Sequence, residues 1–91
     1  MLLSIIIPVY NSHKYILDCL KSCNIDSNRY EVIIINDGST DESENIILNY
    51  IMDKEQYIYH YQNNSGVSTA RNKGIEIAKG DYLCNKQLSH L

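Results

Sequence analysis

The chain has 91 residues, a formal net charge of −3, 44% hydrophobic and 21% charged residues, so it forms at most one globular domain and is not a disordered segment. With a pI of about 5.4 it offers no electrostatic case for nucleic acid or an anionic membrane as partner. The apolar start, residues 1–7, lacks a basic flank and is closed by Pro8 far short of a membrane span, so it reads as a buried strand. The expectation is a cytoplasmic chain with no membrane segment of its own.

Leu2 to Val9 is a continuous isoleucine-rich run, the pattern of a parallel strand buried on both faces. Asn11 and Ser12 are good helix starters, and Ile16, Cys19, Leu20 and Cys23 follow at helical spacing. Glu31 to Asn36 repeats the strand pattern, and Ser39 with Glu42 three residues on suggests a capping box ahead of a helix whose stripe is Ile47, Tyr50 and Ile51. Tyr57 to Tyr61 is short and β-prone, and its tyrosines suit a strand near the sheet edge. Val67, Ala70, Gly74, Ile75 and Ala78 mark a third helix face, with Lys79 suited to its last turn and Gly80 to a left-handed cap. Asp81 to Leu83 opens a fourth apolar stretch. Strands alternating with helices imply right-handed crossovers and a parallel sheet of about four strands in a three-layer, Rossmann-like α/β half-domain.

The three cysteines, Cys19, Cys23 and Cys84, have no zinc spacing with a second ligand pair. Cys19 and Cys23 share a face with Ile16 and Leu20 and read as buried apolar thiols. Their odd, sparse number fits a reducing compartment. His13, His60 and His90 are isolated from any nucleophile, and a solvated or packing role is their default.

Ligands of an open parallel sheet bind beyond the carboxyl ends of its strands. Three loop signatures fall there. Tyr10, in Pro8-Val9-Tyr10-Asn11, either stacks on a base or simply packs, while Asn11 suits a cap of the following helix. In Asn36-Asp37-Gly38-Ser39, Asp37 either accepts bonds from a ribose hydroxyl or base N–H, or caps the next helix as Asp41 does. Ser65-Gly66-Val67 precedes a helix amino terminus, a place that hosts anions. Arg71 lies on that helix's apolar stripe and calls for a partner, either a ligand phosphate or a carboxylate such as Asp37. No glycine fingerprint of a dinucleotide site follows the first strand, which argues against a nicotinamide or flavin enzyme.

Taken in order and at these spacings, Ser4-Ile-Ile-Ile-Pro-Val-Tyr-Asn11, Asn36-Asp-Gly-Ser-Thr-Asp41 and Gly66-Val-Ser-Thr-Ala-Arg-Asn-Lys-Gly74 resemble the family 2 glycosyltransferases of GT-A fold. The resemblance covers residues 2–83, with residues 1–83 as the nucleotide-binding half and 84–91 as a tail unlike the family. It implies a parent that transfers sugar from a nucleotide diphosphate, often uridine diphosphate, to an acceptor with inversion. By the same resemblance Tyr10 stacks on the base and Asp37 bonds its edge. Pro8 and Asn11 shape the base pocket, Ser39 belongs to the nucleotide-binding set, and Arg71 and the turn Ser65-Gly66-Val67 lie near the nucleotide. Asn36 stands where the family usually has a first acid.

The family's metal-binding Asp-x-Asp and its catalytic base do not follow Leu83. No catalytic or metal-binding residue is therefore assigned in these 91 residues, and Mn²⁺ or Mg²⁺ is expected only of the full-length parent. On this reading the piece is inactive and holds nucleotide sugar weakly at best. The rival expectations are a catalytically dead nucleotide-binding fragment, a half-domain that self-associates through the edge near residues 81–91, and a sugar nucleotidyltransferase. The last would want a glycine- and arginine-rich loop after the first strand, which Tyr10-Asn11-Ser12 is not.

Overall fold

The computed structural model describes residues 2–23 and 29–85, the last four as backbone only. Seven elements alternate: β1 Leu3–Val9, α1 Ile16–Ser22, β2 Tyr30–Asp37, α2 Ser43–Ile51, β3 Tyr57–Gln62, α3 Val67–Ile77 and β4 Tyr82–Asn85. The four strands form one sheet in the order β3-β2-β1-β4, and every neighbouring pair is parallel. The expected α/β class, the number of strands and the edge position of β3 all appear. The tail residues 86–91 lie outside the described residues. None of the described helices is long and apolar enough to cross a membrane.

The pleat sorts each isoleucine run onto two faces. Ile5, Ile7 and Val9 of β1 and Val32 and Ile34 of β2 pack with Ile16, Cys19, Leu20 and Cys23 of the α1 segment and Ile47 of α2. The intervening residues, Ile6, Ile33 and Ile35, meet Ala70 of α3 on the other side. Burial on both faces explains why the strands are continuously apolar instead of alternating. Gly74 lets α3 lie close to β1, because a Cβ there would overlap Ile6 Cγ2. The cysteine expectation holds for Cys19 and Cys23, which are buried and not disulfide-bonded; the side chain of Cys84 lies outside the described residues.

Five local expectations fail, most of them where a distant partner outcompetes a local one. The α1 segment starts as a turn on the Ser12 carbonyl, which accepts from Tyr15 and Ile16, and becomes α-helical only at Ile16. Asn11, with φ of 47°, does not cap it. The capping box does not form at α2: Ser39 Oγ accepts from Asn11 N–H, and Asp41 Oδ1 accepts from Ser43 N–H at 2.9 Å instead. Ile75 of α3 is exposed, and Ile77 with Ala78 packs inward in its place. Gly80 is not left-handed: a Cβ there would overlap Ser4 Oγ, so glycine is required for close approach. Lys79 lies beyond the helix, and its N–H donates to Glu31 Oε2 at 2.7 Å.

Candidate functional site

At the carboxyl end of the sheet the three loop signatures are stitched to one another. Asn11 Oδ1 accepts from Thr40 N–H at 2.7 Å, and Ser12 N–H donates to Ser43 Oγ at 2.9 Å. His13 N–H and Nδ1 both face Asp41 Oδ2, the ring nitrogen at 2.8 Å. Partial burial alone would raise the Asp41 pKa, but hydrogen bonds from Ser43 and His13 outweigh it and hold the carboxyl well below the usual carboxylate range.

The second stitch joins β2 to the β3–α3 loop. Asp37 is 3% exposed. Its Oδ1 accepts from Ser65 N–H at 2.8 Å and Gln62 Nε2 at 3.0 Å, and its Oδ2 accepts from Gly66 N–H at 2.9 Å and Asn64 Nδ2 at 3.4 Å. A carboxylate has about four acceptor positions, and all four are met from within the chain. Gly38 is required beside it: its φ is 75°, and a Cβ there would come within 2.6 Å of the Asn64 backbone nitrogen. Gly66, with φ of 101°, turns the loop into α3.

Asn36 points to the opposite face. Its Nδ2 donates to Tyr59 Oη at 3.0 Å, and Tyr59 in turn donates to Glu44 Oε2 at 2.7 Å. Burial, with the Glu44 bond, pushes the Tyr59 pKa up to about 12, so the hydroxyl keeps its proton for Glu44. An acid at position 36 could only accept from Tyr59, whose proton is already given to Glu44. That is a physical reason for an amide here.

A cleft of about 200 Å³ opens between the ends of β1 and β2 and the start of α3. Pro8, Tyr10, Asp37, Asn64, Gly66, Val67 and Ala70 line it. Tyr10 is 52% exposed at its mouth. Four expected site residues, Pro8, Tyr10, Asp37 and Gly66, therefore meet in one place. Asn11 and Ser39 sit in the first stitch, Ser65 donates its N–H to Asp37 Oδ1, and neither Ser65 nor Arg71 lines the cleft. Arg71 is half-buried, and among the described residues it has neither a hydrogen bond nor an ion pair, so the salt bridge considered for it does not form there. Asn64 and Ala70 were not anticipated as site residues, and Ala70 read as helix stripe; Val67, also on that stripe, was expected near the nucleotide only as the end of the Ser65–Val67 turn.

A parallel sheet with its cleft at the carboxyl edge and its loops joined there defines an α/β protein of the Rossmann-like kind. Residues 4–85 match Glycosyl transferase family 2, and the chain belongs to that family. Glycosyltransferase GlyG of Streptococcus pneumoniae is 37% identical over 86 residues, 90% of this chain and 28% of its own length. An uncharacterized glycosyltransferase of Haemophilus influenzae is 45% identical over 84 residues, 90% of this chain and 34% of its own. S. aureus TarS 1–349, solved in complex with UDP, superposes with a TM-score of 0.81 at 27% identity, covering 97% of this chain and 27% of that 1–349 chain. The chain thus spans 28% and 34% of the lengths of these two relatives, and its fold matches the amino-terminal portion of the GT-A architecture of TarS.

Proposed function

We propose that this chain is the base-binding part of a glycosyltransferase that takes a nucleotide-diphosphate sugar, with uridine as the first candidate, and transfers the sugar with inversion. The observation that carries the reading is the cleft joining Pro8, Tyr10, Asp37 and Gly66 at the sheet's carboxyl edge. The complex of TarS with UDP supports uridine. Tyr10 offers an exposed aromatic face for stacking, and Pro8, Val67 and Ala70 supply apolar walls. A base N–H reaches Asp37 Oδ2 by replacing the 3.4 Å bond from Asn64, the longest of the four.

The cleft, at about 200 Å³, is smaller than the roughly 300–1,000 Å³ of a complete small-molecule site. It suits a base and leaves the diphosphate and sugar to the rest of the full-length protein. Arg71, a cation with no partner among the described residues, is the candidate that the third signature offers for phosphate contact. Asp37 is the one carboxylate lining the cleft, and its filled acceptor positions do not fit it to hold Mn²⁺ or Mg²⁺.

Titration calorimetry with uridine diphosphate tests the reading. The expected affinity is about millimolar, roughly 4 kcal/mol, with Tyr10→Ala weakening it severalfold. Equal affinity in wild type and Tyr10→Ala would place the site elsewhere.

A further inference from the structure

The amino end of α3 is where a helix ordinarily presents unpaired N–H groups and a partial positive charge to an anion. In this chain the turn ahead of α3 faces an anion of its own. Ser65 N–H lies 2.8 Å from Asp37 Oδ1 and Gly66 N–H lies 2.9 Å from Oδ2, so the two amides grip the two carboxylate oxygens side by side. Those lengths are those of charge-assisted bonds. The grip is closed on its flanks by Gln62 Nε2 on Oδ1 and by Asn64, whose Nδ2 donates both to the Asp37 carbonyl at 3.1 Å and to Oδ2. Gly38 brings the two loops into backbone contact, and Asp37 is buried.

We infer that Asp37 is a positioning residue that fills the anion position at the start of α3, so the Ser65 and Gly66 amides hold the protein's own carboxylate and not a phosphate of the ligand. The inference rests on the nucleotide reading of the cleft only for what the ligand is; the occupancy of the amides is a property of the chain without ligand. Two consequences follow. The turn forming one wall of the cleft is set before any nucleotide arrives. The phosphates of a bound nucleotide run away from the start of α3, because an anion placed there would meet the Asp37 charge.

Inorganic phosphate and isotope-labelled protein, with no nucleotide, test this directly. In the wild-type 91-residue chain, a coupling across the hydrogen bond between Gly66 amide nitrogen and the Asp37 carboxylate carbon is expected. Phosphate at tens of millimolar is expected to leave the Ser65 and Gly66 amide shifts unmoved. In Asp37→Ala the emptied position should take up phosphate, with Ser65 and Gly66 shifting on titration while Ile33 to Ile35 stay fixed. Phosphate-dependent shifts of Ser65 and Gly66 in the wild type would overturn the inference, and so would their absence in a folded Asp37→Ala. Should that variant not fold, the wild-type coupling decides: its absence contradicts the proposal. None of these readings changes if uridine diphosphate proves not to bind, so failure of the nucleotide reading is seen separately.

Discussion

On the α1–α2 side of the sheet, Ile5, Ile7, Val9, Val32 and Ile34 are sealed beneath two helices, with tyrosines and isoleucines filling the margin. On the α3 side, a single helix covers Ile6, Ile33 and Ile35, and the contacts around it are made through small residues and polar stitches: Gly74 on Ile6, Ser4 on Glu31, and Asp37 on Ser65 and Gly66. One face carries most of the dry core. The other is thin, and at its carboxyl edge the thinness leaves the cleft. The main core and the cleft proposed for the ligand thereby lie on different faces, and substitutions can separate them.

The largest effect expected is from Ile34→Ala, which opens a cavity in the fully buried two-helix face and should cost about 2–5 kcal/mol in denaturant unfolding. A loss below about 1 kcal/mol would mean that this face is not the main core. Next comes the thin face. Gly74→Ala drives a methyl into Ile6 and should cost about 1–3 kcal/mol, with α3 displaced and the cleft altered. Its unfolding midpoint falling as far as that of Ile34→Ala would erase the contrast between the faces.

The smallest effect belongs to the stitch outside the cleft. Asp41 titrates below its usual range in the folded chain, so the stability it contributes is present above the unfolded-state pKa and is lost as pH falls through the folded one. Asp41→Asn should therefore cost about 1 kcal/mol at neutral pH, as loss of a helix cap does, and flatten the acid limb of the stability curve. An unchanged acid limb would show that the Ser43 and His13 bonds do not hold the carboxylate.

The strands were legible because a run buried on both faces leaves an unbroken apolar signature, and β1 and β2 carry it in full. The candidate site was legible as a location, since its loops sit at strand ends whatever their side chains do. The partnerships were not. Asn11 has the composition of a helix cap and spends its side chain on Thr40, 29 residues away. Asp37 stood out, but the groups that fill its oxygens lie 25 to 29 residues further on, beyond any local pattern. Gly80 was read as a helix cap because local rules favour glycine there, whereas the pressure comes from Ser4 on another element. Val67 and Ala70 looked like helix stripe, and Ala70 is that and cleft wall together.

The central claim, that the thin face holds the ligand cleft and the two-helix face does not, is tested most directly by amide shift mapping of the labelled chain against uridine diphosphate. The account predicts that Tyr10, Gly38, Asn64, Val67 and Ala70 move together along one binding curve while Leu48 and Met52 on α2 and its cap stay still. Shifts centred on α1 and α2, or none at ten millimolar nucleotide, roughly ten times the expected dissociation constant, would contradict it.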